Sequence, residues 1–286
     1  MTRNTAMKSS YSPEDRRKGR WAIYLFLGIV VICQLLPFYL AITTSLKPSD
    51  DMSSALIPRL KDLAWSNWTR AITEGGILNS VINSIVVTVF TTILVCVIGA
   101  AAAYPLARRA TRGNKMVSAF VLSMMMIPPL SILVPLYSFL VKIGGVNQYW
   151  GIIVVLTATN LPLAIFLYTA FIKAIPSAID EAGTIDGANK LQVFIRLILP
   201  MLKPVTATVV IMTGSTVWND YALSSYILTD PDAQTIAPRV ASFFSANTNN
   251  LGIAAASALI AAAPMIIAYL FLQRYFIAGM VAGAVK

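Results

Sequence analysis

The chain has 286 residues, of which 57% are hydrophobic and only 12% charged, and its mean hydropathy is +0.72. That is too apolar for a water-soluble domain of this length, and it assigns the chain to a bilayer. The net charge of +10 sits beside apolar runs and forms no face with interleaved aromatics, so it argues against nucleic acid as a partner.

With no histidine, a Ser-His-Asp triad, a His-ligated metal and a histidine proton relay are all excluded. Cys33 and Cys96 both fall in apolar stretches, which speaks against a disulfide framework or a cysteine metal site, and no metal ligands are expected. No G-x-x-x-x-G-K-[ST] sequence occurs, so this chain has no phosphate-cradling loop of the usual kind.

Residues 1–20 are polar and carry six basic groups, and are expected to form a mobile tail. Six mostly apolar runs follow, near 21–44, 84–107, 116–141, 150–172, 205–228 and 251–271. Each is long enough at 1.5 Å per residue to cross a hydrocarbon layer of about 30 Å. The first exceeds the length of a signal-peptide core and reads as a retained anchor. The predicted fold is therefore all-α, a polytopic membrane protein with six transmembrane helices in residues 21–273 and a short tail over 274–286.

Sixteen of the 22 lysines and arginines fall in the N-terminal tail, the second and fourth loops and the C-terminus. This places both termini on the cytoplasmic side. Between the first two runs, Trp65 and Trp68 suit either a membrane interface or a surface loop. Small residues at 99–103, 254–258 and 261–263 predict close helix packing. Pro37, Pro105, Pro135, Pro162 and Pro264 interrupt the spans, and Pro128 and Pro129, with Pro135, predict a bend beside the transport route. Asp220 is the one acid placed inside a span; with Trp218, Asn219 and Tyr221 it is a candidate pathway or gating group, or else a structural hydrogen-bonding residue.

The fourth loop, 176–204, is a polar insert. Its first part predicts a short helix over 177–185 with Asp180 and Glu181 at the positive end. Gly187 supplies a turn with φ > 0. A second helix from Asn189 puts Leu191, Phe194, Ile195 and Ile198 on one face, with Asn189 and Gln192 at capping-box spacing, and Pro200 and Pro204 return the chain to the membrane. Apolar and anionic groups should point outward from this elbow.

Residues 181–204, EAGTIDGANKLQVFIRLILPMLKP, resemble the EAA loop of bacterial ABC-importer permeases. Asn83-Ser84, Ala102–Lys115, the run MMIPPLSILVPLY over 125–137, Trp218-Asn-Asp-Tyr221 and the ending Gly283-Ala-Val-Lys286 extend the likeness to the carbohydrate-uptake branch, and within it to the maltose-type second permease. The resemblance implies a MetI-like type I importer fold in a bacterial inner membrane. Glu181, Ala182, Gly183, Asp186, Gly187, Ala188, Phe194 and Pro200 would form the ATPase-coupling surface, with Glu181 pairing to a base of the ATPase and Gly187 as hinge. Gly183 departs from the usual Ala.

The implied partners are a sister permease, two ATP-binding cassette subunits that hold ATP and Mg, an extracytoplasmic sugar-binding protein reached by residues 241–250, and membrane lipid. This chain itself would be a transport subunit, not an enzyme, and would bind no cofactor. A permease for a non-sugar solute remains an alternative. An ion-coupled secondary transporter is disfavoured by the scarcity of intramembrane acids.

Overall fold

A computed structural model of the chain describes residues 13–49, 51, 54–56, 62–246 and 251–284. Among the described residues, all regular secondary structure is helical. Helix α1 spans Pro13–Ser45, α2 Ser66–Thr73, α3 Ile77–Arg108 and α4 Arg112–Met124. A 3-10 turn, Pro129–Ile132, leads into α5, Leu133–Lys142, and then α6 spans Tyr149–Ala174. The elbow follows, with α7 at Ala178–Ile185 and α8 at Lys190–Val193, a π turn over Phe194–Ile198 and α9 at Leu199–Met201. The chain closes with α10 (Lys203–Trp218), α11 (Ala222–Ile227), α12 (Ile236–Ala246) and α13 (Leu251–Ala284).

Four stretches are straight enough to be single spans: Ile23–Ser45, Ile77–Arg108, Tyr149–Ala174 and Leu251–Phe271. Of the other two predicted spans, one is bent within its bounds and the other is cut short. The stretch expected at 116–141 is bent by 92° where Pro128 and Pro129 end α4 and open the 3-10 turn, because a proline can neither donate its backbone N–H nor let the preceding residue adopt helical angles easily. The helical stretch Lys190–Met201 meets α10 at 73°, and α10 itself ends at Trp218, ten residues short of the predicted limit at 228.

Other boundaries shift as well. The second span opens at Ile77, seven residues ahead of Ser84. The backbone from 274 to Ala284 continues α13 as helix beyond the apolar stretch that ends at Phe271. At the N-terminus, helix begins at Pro13; residues 1–12 lie outside the described residues, as do 247–250 and 285–286. Most of the expected receptor loop at 241–250 is thus the end of α12.

The centre of the molecule is α3 packed along α6, with α10 crossing both. Gly99 makes the approach possible: a Cβ there would sit 3.2 Å from Ala164 Cβ and 3.4 Å from Tyr168 Cδ2. Tyr168 is fully buried at this crossing and donates its hydroxyl hydrogen bond to Thr206 Oγ1 at 3.1 Å, so the third helix supplies the acceptor that a buried phenol needs. The alanine run at 254–256 and the following Ser257 are likewise buried, where α13 meets α2, α10 and α12. Helix α1 lies outside this core along α13, with Trp21, Leu25, Phe26 and Ile32 all more than half exposed. Among its described side chains only the last turn, at Thr43 and Ser45, is buried within the chain, and an apolar helix so exposed is stable where hydrocarbon or another subunit covers it.

At the end of α3 that carries its N-terminus, polar side chains tie the loops together. Asn83 donates from Nδ2 to the carbonyls of Asp232 (2.8 Å) and Gln234 (3.0 Å), and accepts from the Tyr149 hydroxyl at 2.8 Å. Ser84 Oγ accepts from the Ile236 backbone N–H at 2.7 Å. The Asn83-Ser84 pair is thus a clamp on the segment leading to α12, and Asn79, one turn earlier, donates to the same Asp232 carbonyl at 2.9 Å.

Candidate functional site

The elbow is built from two helix-end devices. Helix α7 finishes in a Schellman motif: Gly187 has φ of 84°, its N–H donates to the Thr184 carbonyl at 3.1 Å, and the Ala188 N–H donates to the Gly183 carbonyl at 3.0 Å. Helix α8 then opens in a capping box, with Gln192 N–H donating to Asn189 Oδ1 (3.0 Å) and Asn189 N–H to Gln192 Oε1 (2.8 Å). The turn between them is fixed by local sequence alone.

The elbow is held to the transmembrane core by α3. Arg108 Nη2 pairs with Asp180 Oδ2 at 2.8 Å, while its Nη1 donates to the carbonyls of Ile172 (3.0 Å) and Ile175 (2.8 Å), capping the end of α6. The Tyr104 hydroxyl donates to Asp180 Oδ1 at 2.6 Å, and its ring lies 5.1 Å from that of Phe194. One end of α3 therefore grips the end of α6, the first turn of α7 and the start of the π turn. Asp180, expected to face outward, faces inward for this reason. Its neighbour Glu181, one residue round the helix, is exposed.

The second half of the elbow matches the expected face at Ile198 and in part at Phe194, and departs from it at the other positions. Val193 and Ile198 are the buried residues, Phe194 is half-buried, and Leu191 and Ile195 are exposed. The physical reason is the π turn, which adds a residue to one turn and brings positions five apart onto the same side. Val193, Ile198 and Leu202 then join Ala103, Tyr168 and Ile172 in one continuous apolar cluster. Gly183 is buried between the two arms: a Cβ there would lie 2.6 Å from Leu197 Cδ1 and 3.2 Å from Val193 Cγ2. Its expected cost in helix propensity is offset by this close approach.

What remains outward is a mixed surface. Ala182, Asp186 and Pro200 are exposed and Ala188 half-buried. Ile185 is 85% exposed and Leu191 65%. Tyr104, Arg108, Glu181, Ile185, Leu191 and Phe194 border a cavity of about 890 Å³ between α3 and the elbow.

The other candidate residues lie elsewhere. Trp218 is buried against Ile77 and Ile236. The chain leaves α10 directly after it, so Asp220 is in a break between helices and not inside a span. Its Oδ2 accepts from the Ser224 backbone N–H (2.8 Å) and hydroxyl (2.7 Å) and caps α11, a structural use of the acid. Trp218, Asn219 and Tyr221 border an apolar cavity of about 520 Å³ together with Phe38, Ala261 and Met265. Pro128 and Pro129 are exposed and border neither cavity.

Residues 95–281 match the family described as binding-protein-dependent transport system inner membrane component, which is most of the core helices and the whole elbow. The chain belongs to this family of transport permeases. It is 43% identical over 272 residues to the melibiose/raffinose/stachyose import permease protein MelC of Bacillus subtilis (strain 168), covering 95% of this chain and 98% of that protein. It is 33% identical to the trehalose transport system permease protein SugB of Mycobacterium tuberculosis (strain CDC 1551 / Oshkosh), over 95% of this chain and 98% of that one.

The fold of this permease aligns with a chain in the crystal structure of a bacterial ABC transporter involved in the import of the acidic polysaccharide alginate, with a TM-score of 0.76 at 23% identity. The alignment covers 94% of this chain and all of that one. The permease is a multi-pass membrane protein with the MetI-like architecture.

Sequence reasoning missed the Arg108–Asp180–Tyr104 lock. The signal was available only in part: Arg108 is one of several basic residues in a charge-rich loop, and nothing local marks it as the one that reaches α6 and α7.

Proposed function

We propose that this permease is one of two transmembrane subunits of an ATP-driven importer of oligosaccharides, with melibiose, raffinose and stachyose as the first candidates. The observation that carries the reading is its 43% identity to MelC over nearly the full length of both chains, MelC being named for those sugars. The elbow supports a coupling role. It presents two acids, Glu181 and Asp186, with exposed Ile185 and Leu191 on two short helices joined by the Gly187 turn, and it is continuous with the transmembrane core through Val193, Ile198 and Leu202. A partner ATPase subunit carrying ATP and Mg would seat this surface in a cleft with a basic group opposite Glu181. Force on the elbow would then pass to α3 and α6 through Arg108 and Asp180.

The remaining partners are a sister permease, which would complete the pathway beside Trp218, Asn219 and Tyr221, a second ATPase subunit, and a sugar-binding protein on the side of α12. The elbow faces the cytoplasm in this reading, as do both termini. Uptake of labelled raffinose, trehalose and maltose by cells that express the complete transporter tests the substrate class. Raffinose uptake that depends on this chain supports the proposal, and uptake of none of the three sugars overturns it.

A further inference from the structure

On the side of α3 away from the elbow, two hollows run into one another between α3, α4 and α6. The outer one, about 340 Å³, is bordered by Arg109, Lys115 and Lys173. The inner one, about 210 Å³, is bordered mainly by apolar side chains, among them the exposed Leu122 and Phe166, together with Ser118, Thr169 and Lys173. Leu106, Ser118, Leu122 and Lys173 border both, so the two form one slot, with Arg109 and Lys115 at one end, Lys173 between them, and mainly apolar side chains at the other end. No Asp or Glu borders either hollow. Among the described residues, none of the three basic groups takes part in an ion pair, and all three are exposed.

We infer that this slot binds an anionic phospholipid, its phosphate held among Arg109, Lys115 and Lys173 and one acyl chain laid along Leu122 and Phe166. Basic residues beside a span are expected from topology alone, but they do not require an apolar recess continuous with them. The recess is the second observation, and it selects a ligand that is anionic at one end and hydrocarbon at the other. Basic pockets between transmembrane helices bind lipid headgroups by this combination of charge and burial. Free phosphate would leave the apolar depth empty, and a zwitterionic lipid would gain little from three cations with no acid among them.

The test uses the whole transporter in detergent, incubated with phosphatidylglycerol carrying a photoreactive diazirine in one chain, or with phosphatidylcholine carrying the same chain. Irradiation should label residues 118–122 and 165–170 with phosphatidylglycerol in preference to phosphatidylcholine. Combined Arg109→Gln, Lys115→Gln and Lys173→Gln should lower the phosphatidylglycerol adduct roughly tenfold or more and leave the phosphatidylcholine adduct unchanged. Ala170→Trp, which fills the recess but keeps the charges, should remove both adducts. Equal labelling by the two lipids in the unaltered transporter overturns the inference without reference to any variant. So does displacement of the label by excess inorganic phosphate, or an adduct found on another subunit instead of these segments.

Discussion

At the scale of single residues, Gly187, Gly183 and the Arg108–Asp180 pair carry the elbow. At Gly187, where φ is 84° and no atom crowds the Cα, the demand is purely conformational. Gly187→Val should therefore destabilise the elbow by about 1–2 kcal/mol and stop uptake, whereas Gly187→Asn should retain a measurable rate. Uptake by the two variants in parallel checks this, and equal rates would mean that the turn is not required.

Gly183 is constrained by space instead. The atom nearest a new Cβ is the tip of Leu197, a partly exposed and movable side chain, so Gly183→Ala should be nearly neutral. Gly183→Leu should cost about 1–3 kcal/mol by forcing the two arms apart, read as a lower melting midpoint in detergent. The Arg108–Asp180 pair has side chains only 15% and 18% exposed, so removing either partner leaves a charge largely shielded from water. Arg108→Ala should cost about 1–3 kcal/mol after allowance for that exposure. The exchange Arg108→Asp with Asp180→Arg should recover part of the loss in melting midpoint, and no recovery would mean that the carbonyl caps on Ile172 and Ile175 dominate.

At the scale of elements, most helices were legible because hydrocarbon-length apolar runs and paired helix-end signals are local. The Asn189–Gln192 capping box and the Gly187 turn are written in four or five consecutive residues, and the structure has both. The π turn was not legible. Leu191, Phe194, Ile195 and Ile198 satisfy ordinary helical spacing; Ile198 is buried and Phe194 packs as that spacing expects, but packing against Ala103 and Tyr168 selects Val193 in place of Leu191 and Ile195.

The break after Trp218 was hidden for a similar reason, since Ala222–Ile227 is apolar enough to pass for a continuation of the span. The π turn makes its own prediction. Deleting Arg196, an exposed residue within it, should convert the turn to ordinary helix and place Val193 and Ile198 four apart, still on one face. Deleting Thr208 from α10 should instead rotate everything beyond it by about 100°. The Arg196 deletion should insert and melt close to the parent protein, and the Thr208 deletion should not assemble; the reverse ranking would place the register elsewhere.

At the scale of the whole molecule, α3 links the Asn83 clamp at one end to the Arg108 lock at the other, a helix of 32 residues or about 48 Å. A displacement of the elbow can thus reach the loops before α12 through one rigid element. This connection, and the sidedness it requires, predict that single cysteines introduced at 112 and 190 react with membrane-impermeant reagents only from the cytoplasmic face. Labelling from outside at either position would reverse the topology.

The central claim, that a partner's ATP hydrolysis drives sugar import through the elbow, is tested most directly in proteoliposomes containing the full complex and its loaded binding protein, by measuring ATP hydrolysis and raffinose uptake together. The unaltered complex should show uptake only with ATP, and Glu181→Lys should abolish uptake while the sugar still binds its receptor. Uptake driven by an ion gradient without ATP, or a Glu181→Lys complex that imports at the parent rate, would contradict the account.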